Sequence, residues 1–149
     1  GGAVAEPKNV IAPIATPYAD IIAACGGYKK PCKKLLMGGP MMGIVAPNDS
    51  YPLLKNNNAI LALDEEQTVV PEEQACIRCG RCMHACPFHL MPRQIEKAAE
   101  AKNIAMLQKL KVMLCMECGC CSYVCPAKRN LTFTNKMAKN MVRAATAKK

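Results

Sequence analysis

CIRCGRCMHACP at 76–87 and CMECGCCSYVCP at 115–126 decide the reading of this chain, because they are one sequence shape used twice. Written by spacing, Cys76-x2-Cys79-x2-Cys82-x3-Cys86-Pro87 is followed by Cys115-x2-Cys118-x2-Cys121-x3-Cys125-Pro126. Each run matches the bacterial pattern for a [4Fe–4S] cube, in which three closely spaced thiolates grip one cluster and the fourth, before proline, reaches across to the other. The two-residue gaps let the chain coil round one corner of a cube, and the proline ends the coil and aims the last thiolate away. The pattern therefore assigns Cys76, Cys79, Cys82 and Cys125 to a first cluster and Cys115, Cys118, Cys121 and Cys86 to a second. Zinc is the competing ligand, but structural zinc takes two separated pairs and has no use for a third cysteine at the same interval with a fourth before proline.

Around these runs lie 149 residues, enough for one ordinary domain or a small domain with an appended segment. There is no Trp, with two Phe and four Tyr, and the apolar half of the composition rests on aliphatic residues, ten Met and eleven Cys. Such a core is small and soft, so metal binding is expected to supply much of the folding energy. An odd cysteine count with CxxCxxC spacing argues against a disulfide scaffold and for a reducing compartment. No apolar run approaches the 18 or so residues that span a bilayer, so membrane association is expected only through a partner or a surface. The formal charge is +9. Two oxidised cubes with their thiolates lower it to roughly +5, still suited to an acidic redox partner. Lys and Arg are dispersed without interleaved aromatics or a groove-reading motif, which speaks against nucleic acid.

The chain opens Gly-Gly-Ala-Val, as if cut from something longer. Prolines 7, 13 and 17 punctuate short apolar pieces such as Val10-Ile11, which read as brief strands. Thr16-Pro17 reads as an N-cap and first helical position for a helix over Tyr18 to Cys25, closed by Gly26-Gly27. Lys33 to Met37 reads as a strand running into Gly38-Gly39-Pro40-Met41-Met42-Gly43. That glycine-rich piece is a tight loop, without the spacing that cradles phosphates. Asn58 to Leu63 is a further β-like segment, and Asp64-Glu65-Glu66 with Pro71-Glu72-Glu73 forms an acidic turn or linker.

A single helix from Pro92 to Val112 would be about 30 Å long, too long to bring the cysteine runs face to face. A helical hairpin is expected instead, broken at Asn103, with Ile95, Ala98 and Ala99 on one stripe and Leu107, Leu110 and Leu114 on another. The tail from Thr134 is helical in pattern, with Met137, Met141 and Ala144 or Ala145 on one face and Lys148 and Lys149 as a frayed end. Cys25 and Cys32 read as free thiols, and Cys120 as a packing residue turned away from the cube of its neighbour. His84 and His89 read as packing or solvated residues. No nucleophile, base or oxyanion constellation is present, so the catalytic set is empty and the chemistry is one-electron transfer.

The opening Gly-Gly-Ala-Val, the segment Gly38 to Gly43 and the two cysteine runs resemble the C-terminal part of the RnfC (RsxC) subunit family of electron-transport complexes, over essentially the whole chain. The doubled cysteine motif is widely shared; its combination with GGPMMG is far more specific. The resemblance implies an α+β chain: an SLBB, β-grasp-like segment over 1–63, a linker over 64–75, and a helical two-cluster ferredoxin domain over 76–149. It further implies a peripheral subunit on the cytoplasmic side of the cell membrane. Its complex would pass electrons between ferredoxin and NAD and couple them to sodium or proton movement, with other subunits and an acidic ferredoxin-like protein as partners. FMN and NADH belong to an upstream region of that family which this chain lacks, so no residue here is assigned to them. A related cobalamin reductase of bacterial microcompartments, and a non-redox protein braced by structural metal, are the alternatives.

Overall fold

The computed structural model describes residues 1–147, and the expected frayed end at Lys148 and Lys149 lies outside them. The chain divides into two compact units, Gly1–Val70 and the residues from Pro71 onward.

In the first unit, β1 (Lys34–Met37) is the centre of a three-stranded antiparallel sheet, flanked by β2 (Ile44–Ala46) and β3 (Ile60–Leu63). Leu35 stands opposite Ala46 and Ala62, and these three share a core with Tyr18 and Ile22 of helix α1 (Tyr18–Ala24). Tyr18, Ile22 and Cys25 recur at four- and three-residue intervals, which puts them on one buried helical face. The N-terminal segment is tied down as well: Ala3 donates to Ala62 and accepts from Lys29, and is fully buried. The loop from Gly38 to Gly43 is the tight turn between β1 and β2. Gly38 has φ +100°, and a Cβ on Gly43 would collide with the Gly39 carbonyl oxygen, so neither position admits a side chain without rearrangement.

Two local expectations fail here. Val10-Ile11 forms no strand, and Ile11 is fully exposed, because the proline-dotted segment finds no partner strand. Thr16 does not cap α1: its hydroxyl donates to the Pro13 carbonyl, and Pro17 occupies the N-cap position. Within the stretch 64–75, Asp64 is buried and accepts from the Gln67 amide, while Gln67 accepts from Gly2.

The second unit is built by an internal repeat of 39 residues, the interval from Cys76 to Cys115. Helix α2 (Arg81–His84) recurs as α5 (Cys120–Tyr123), and α3 (Pro92–Glu100) starts where its counterpart α6 (Leu131–Ala147) starts one repeat later. Even the unusual backbone angles repeat. Arg78 and Glu117 have φ 57° and 59°, Gly80 and Gly119 have 76° and 85°, and His89 and Lys128 have 50° and 53°. Each left-handed residue costs something, and its recurrence in both halves marks it as part of the loop design. Between the halves, α3 and α4 (Ile104–Lys109) form the hairpin, and Asn103 caps α4 by accepting from the Met106 amide at 2.9 Å. Ile95, Ala98, Leu107 and Val112 pack against Ala138 and Val142 of α6.

The buried face of α6 differs from the expected one. Leu131, Asn135, Ala138, Lys139 and Val142 are buried, whereas Met137 is exposed. The helix begins three residues before Thr134, and Leu131 sets the stripe that the later residues follow.

Candidate metal centres

The two cysteine loops are shaped by the same few residues. The left-handed turn at Arg78 brings its amide to within 3.4 Å of the Cys76 sulfur, and the Leu90 amide donates to the Cys86 sulfur at the same distance. Gly80 and Gly119 then turn the chain into α2 and α5, which carry Cys82 and Cys121.

The eight cysteines separate into two rings. Cys76, Cys79, Cys82 and Cys125 line one open cavity of ≈ 710 Å³. Cys86, Cys115, Cys118 and Cys121 line a second, narrower hollow. Each run thus sends three cysteines to one hollow and its fourth to the other. Among the described residues no three His, Cys, Asp or Glu side chains converge closely enough to hold a single metal ion. The thiols of the first set line ≈ 710 Å³ of space, and those of the second only ≈ 20 Å³.

A strap brings Cys125 across. Just before the first run, Gln74 donates its amide to the Ala127 carbonyl at 2.9 Å, and the Glu73 carboxylate accepts from the Asn130 amide at 2.8 Å. Just after the second run, Arg129 reaches the Gln74 carbonyl and the buried carboxylate of Glu96. On the other side, Glu117 accepts from Lys139 at 2.6 Å, and Lys139 also donates to the Cys115 carbonyl at 2.8 Å, which fixes the second loop on α6. The Lys139 hydrogen bond holds the Glu117 carboxyl below its usual range.

Burial pushes the thiols of Cys82 and Cys121 up. A buried thiol without a counter-charge keeps its proton, and a bound metal centre supplies that charge. Four thiols per hollow are a soft donor set of the kind that iron–sulfur clusters take. The residues present therefore fit such a group.

Cys120 is not a core residue. It is half-buried, belongs to neither apolar core and stands beside Cys118, whose hydrogen bond is the first cause that raises its thiol. Cys25 is buried in the core of the first unit and Cys32 packs against that core. His84 and His89 are exposed and line neither hollow. Sequence reasoning missed the polar residues that serve the rings. Asn135 donates weakly to the Cys115 sulfur at 3.8 Å, and the Thr132 hydroxyl lies 3.5 Å from the Cys121 sulfur. Their position in the first two turns of the helix that follows Cys125-Pro126 was the available signal.

Comparison with known proteins agrees with this architecture. Residues 1–45 match the SLBB domain model, and residues 58–129, which include all eight ring cysteines, match the 4Fe-4S dicluster domain model. The chain thus follows an SLBB-like region with a 4Fe-4S-type region. The C subunit of the proton-translocating ferredoxin:NAD(+) oxidoreductase complex of Clostridium ljungdahlii is 44% identical over 95 residues, 64% of this chain and 21% of that protein. The C subunit of the ion-translocating oxidoreductase complex of Rhodobacter capsulatus is 38% identical over 113 residues, 76% of this chain and 22% of that protein. The C subunit of the Na(+)-translocating ferredoxin:NAD(+) oxidoreductase complex of Acetobacterium woodii is 35% identical over 148 residues, 99% of this chain and 33% of that protein. The chain belongs to this RnfC family, and spans between 21% and 33% of the length of these three relatives.

Proposed function

We propose that the second unit holds two [4Fe–4S] clusters, one on Cys76, Cys79, Cys82 and Cys125 and one on Cys86, Cys115, Cys118 and Cys121, and that the chain relays single electrons within an ion-translocating ferredoxin:NAD oxidoreductase. The observation that carries this reading is the division of the eight cysteines between two hollows. When bound, each cluster supplies one-electron redox chemistry. The protein's part is to keep the thiols in place. The left-handed turns set the first three sulfurs of each ring, the Arg129–Glu96 and Glu73–Asn130 ties draw Cys125 across, and Lys139 anchors the second loop.

The residues up to 63 form the SLBB, β-grasp-like segment in this reading, and the helical two-cluster domain runs from Cys76 onward. Flavin and NADH binding is assigned to no residue of this chain. No helix among the described residues is long and apolar enough to cross a membrane. We place the chain at the cytoplasmic face, held there by other subunits of the complex.

Iron, acid-labile sulfide and zinc per chain, measured after anaerobic purification and reconstitution, test the reading. About eight iron and eight sulfide are expected. Roughly two zinc with no sulfide would replace it with a structural metal protein.

A further inference from the structure

The 39-residue repeat makes the surroundings of the two hollows directly comparable, position by position, and they are not alike. The first hollow is lined by Arg78, Arg93, Lys97 and Arg129, with Glu100 as its lining carboxylate. Glu96 lies buried beneath Arg93 and Arg129 and is engaged by both. Arg78 and Lys97 are exposed, and among the described residues neither forms an ion pair. At the second hollow the counterpart of Arg78 is Glu117, the counterparts of Arg93 and Arg129 are Thr132 and Leu90, and the counterparts of Lys97 and Glu100, Lys136 and Lys139, both stand against Glu117. Its lining is otherwise mostly apolar, with Phe88 and Met116 exposed at the surface.

Access differs in the same sense. Cys79 is exposed at the mouth of the first hollow, whereas its counterpart Cys118 is partly buried and Cys121 is buried. A centre that is reachable from solvent and has two unpaired cations at its rim attracts a negatively charged visitor and orients it during encounter. The second lining is mostly apolar, and its one charged residue, Glu117, is engaged by Lys136 and Lys139, so it offers weaker steering. The first rim also lacks the aromatic platforms on which nucleotide bases stack: Ile77, Met83 and Met91 stand there instead.

We propose that the rim of the first hollow, led by Arg78 and Lys97, is the docking surface for an acidic one-electron carrier protein, so that electrons enter or leave this chain at the Cys76, Cys79, Cys82 and Cys125 centre. This rests on the two-cluster reading. It adds where the carrier binds and which of the two centres faces it.

The test uses the reconstituted full chain and an oxidised plant-type [2Fe–2S] ferredoxin as the acidic probe, with binding followed by calorimetry while both proteins are oxidised. Binding is expected to weaken steeply between roughly 0.05 and 0.3 M salt. Arg78→Glu and Lys97→Glu should each weaken it by about tenfold at low salt, with iron content and visible spectrum unchanged in Lys97→Glu. Electron transfer from the reduced probe should slow in parallel. Lys109→Glu, a reversal that lines neither hollow, should leave binding within about twofold.

Unchanged binding in both rim variants, an equal loss in Lys109→Glu, or equally tight binding of basic cytochrome c would overturn the proposal. Displacement of the probe by an oligothymidylate of equal charge at equal concentration would overturn it too, by making the rim a general polyanion site. Should Arg78→Glu disturb loading through its left-handed position, Lys97→Glu on the exposed side of α3 decides alone. A chain that takes up no iron and sulfide removes the cluster reading. Carrier binding, read without electron transfer, reports on the docking surface separately.

Discussion

Arg129 joins Glu96 across the two halves of the helical unit: its Nε donates to the two carboxylate oxygens at 2.9 and 3.1 Å, and its Nη2 stands 2.8 Å from Oε1. The Glu96 side chain is 4% exposed, so the pair is desolvated on the carboxylate side. Removing one member of such a pair strands the other, which costs more than an exposed ion pair contributes. Glu96→Ala is expected to destabilise the helical unit by about 3 kcal/mol in chemical unfolding. Because Arg129 lies four residues past Cys125, iron should also leave the first ring faster than the second, seen as a split in the release kinetics under chelator.

The crossing of the fourth cysteines has its own test. Cys125→Ala should expose Cys76, Cys79 and Cys82 to alkylation while Cys115, Cys118 and Cys121 stay protected, with about four iron retained. Cys86→Ala should do the reverse. Mass mapping of the alkylated thiols reads the pattern directly, and protection lost in the variant's own run would mean that the rings do not cross.

Asn103 stops one helix and starts the next. Its side chain accepts from the Met106 amide, after Lys102 has turned left-handed with φ 50°. Asn103→Ala should cost about 1 kcal/mol, measured as a lowered unfolding midpoint with an unchanged iron content. An unaltered midpoint would show that packing of Leu107 holds the turn without the cap.

In the first unit, the Tyr18 hydroxyl accepts from Asn57 at 3.0 Å within a fully buried setting. Burial first, and Tyr51 second, push this phenol above its ordinary value. The folded state therefore holds the Tyr18 proton more tightly than the unfolded chain does. Its contribution is complete below an unfolded phenol value of about 10 and is lost as pH rises from there through the raised folded value. Tyr18→Phe should remove that part of the alkaline loss. Near neutrality the same change leaves the Asn57 amide short of an acceptor, at a cost of about 1–2 kcal/mol. Urea unfolding at a series of pH values checks both.

What could be read from the sequence was what local rules determine. The cysteine spacing gave the loops, Asn103 gave the break in the hairpin, and Lys33 to Met37 and Asn58 to Leu63 enclosed β1 and β3. What escaped depended on neighbours distant in sequence. The three-residue strand β2, with Ile44 and Val45 exposed, carries almost no periodicity of its own and exists because β1 offers it an edge. The face of α6 was misread because Lys139 and Asn135 look like solvent-facing residues. Lys139 is buried only because Glu117 and the Cys115 carbonyl await it. Glu96 carries no local signal of its burial, since its partner Arg129 lies 33 positions away.

The crossed rings also impose an order on manufacture. On the proposed ligand sets, the second ring has all its sulfurs once Cys121 has been synthesised, whereas the first, begun at Cys76, stays one sulfur short until Cys125. For the 43 residues from Cys82 to Cys125, Cys76, Cys79 and Cys82 form a three-point cup without its lid. Iron offered to the nascent chain in that interval would meet an incomplete cup. Neither ring has its four sulfurs until both halves of the repeat exist, so completing either cluster must follow synthesis of the second half.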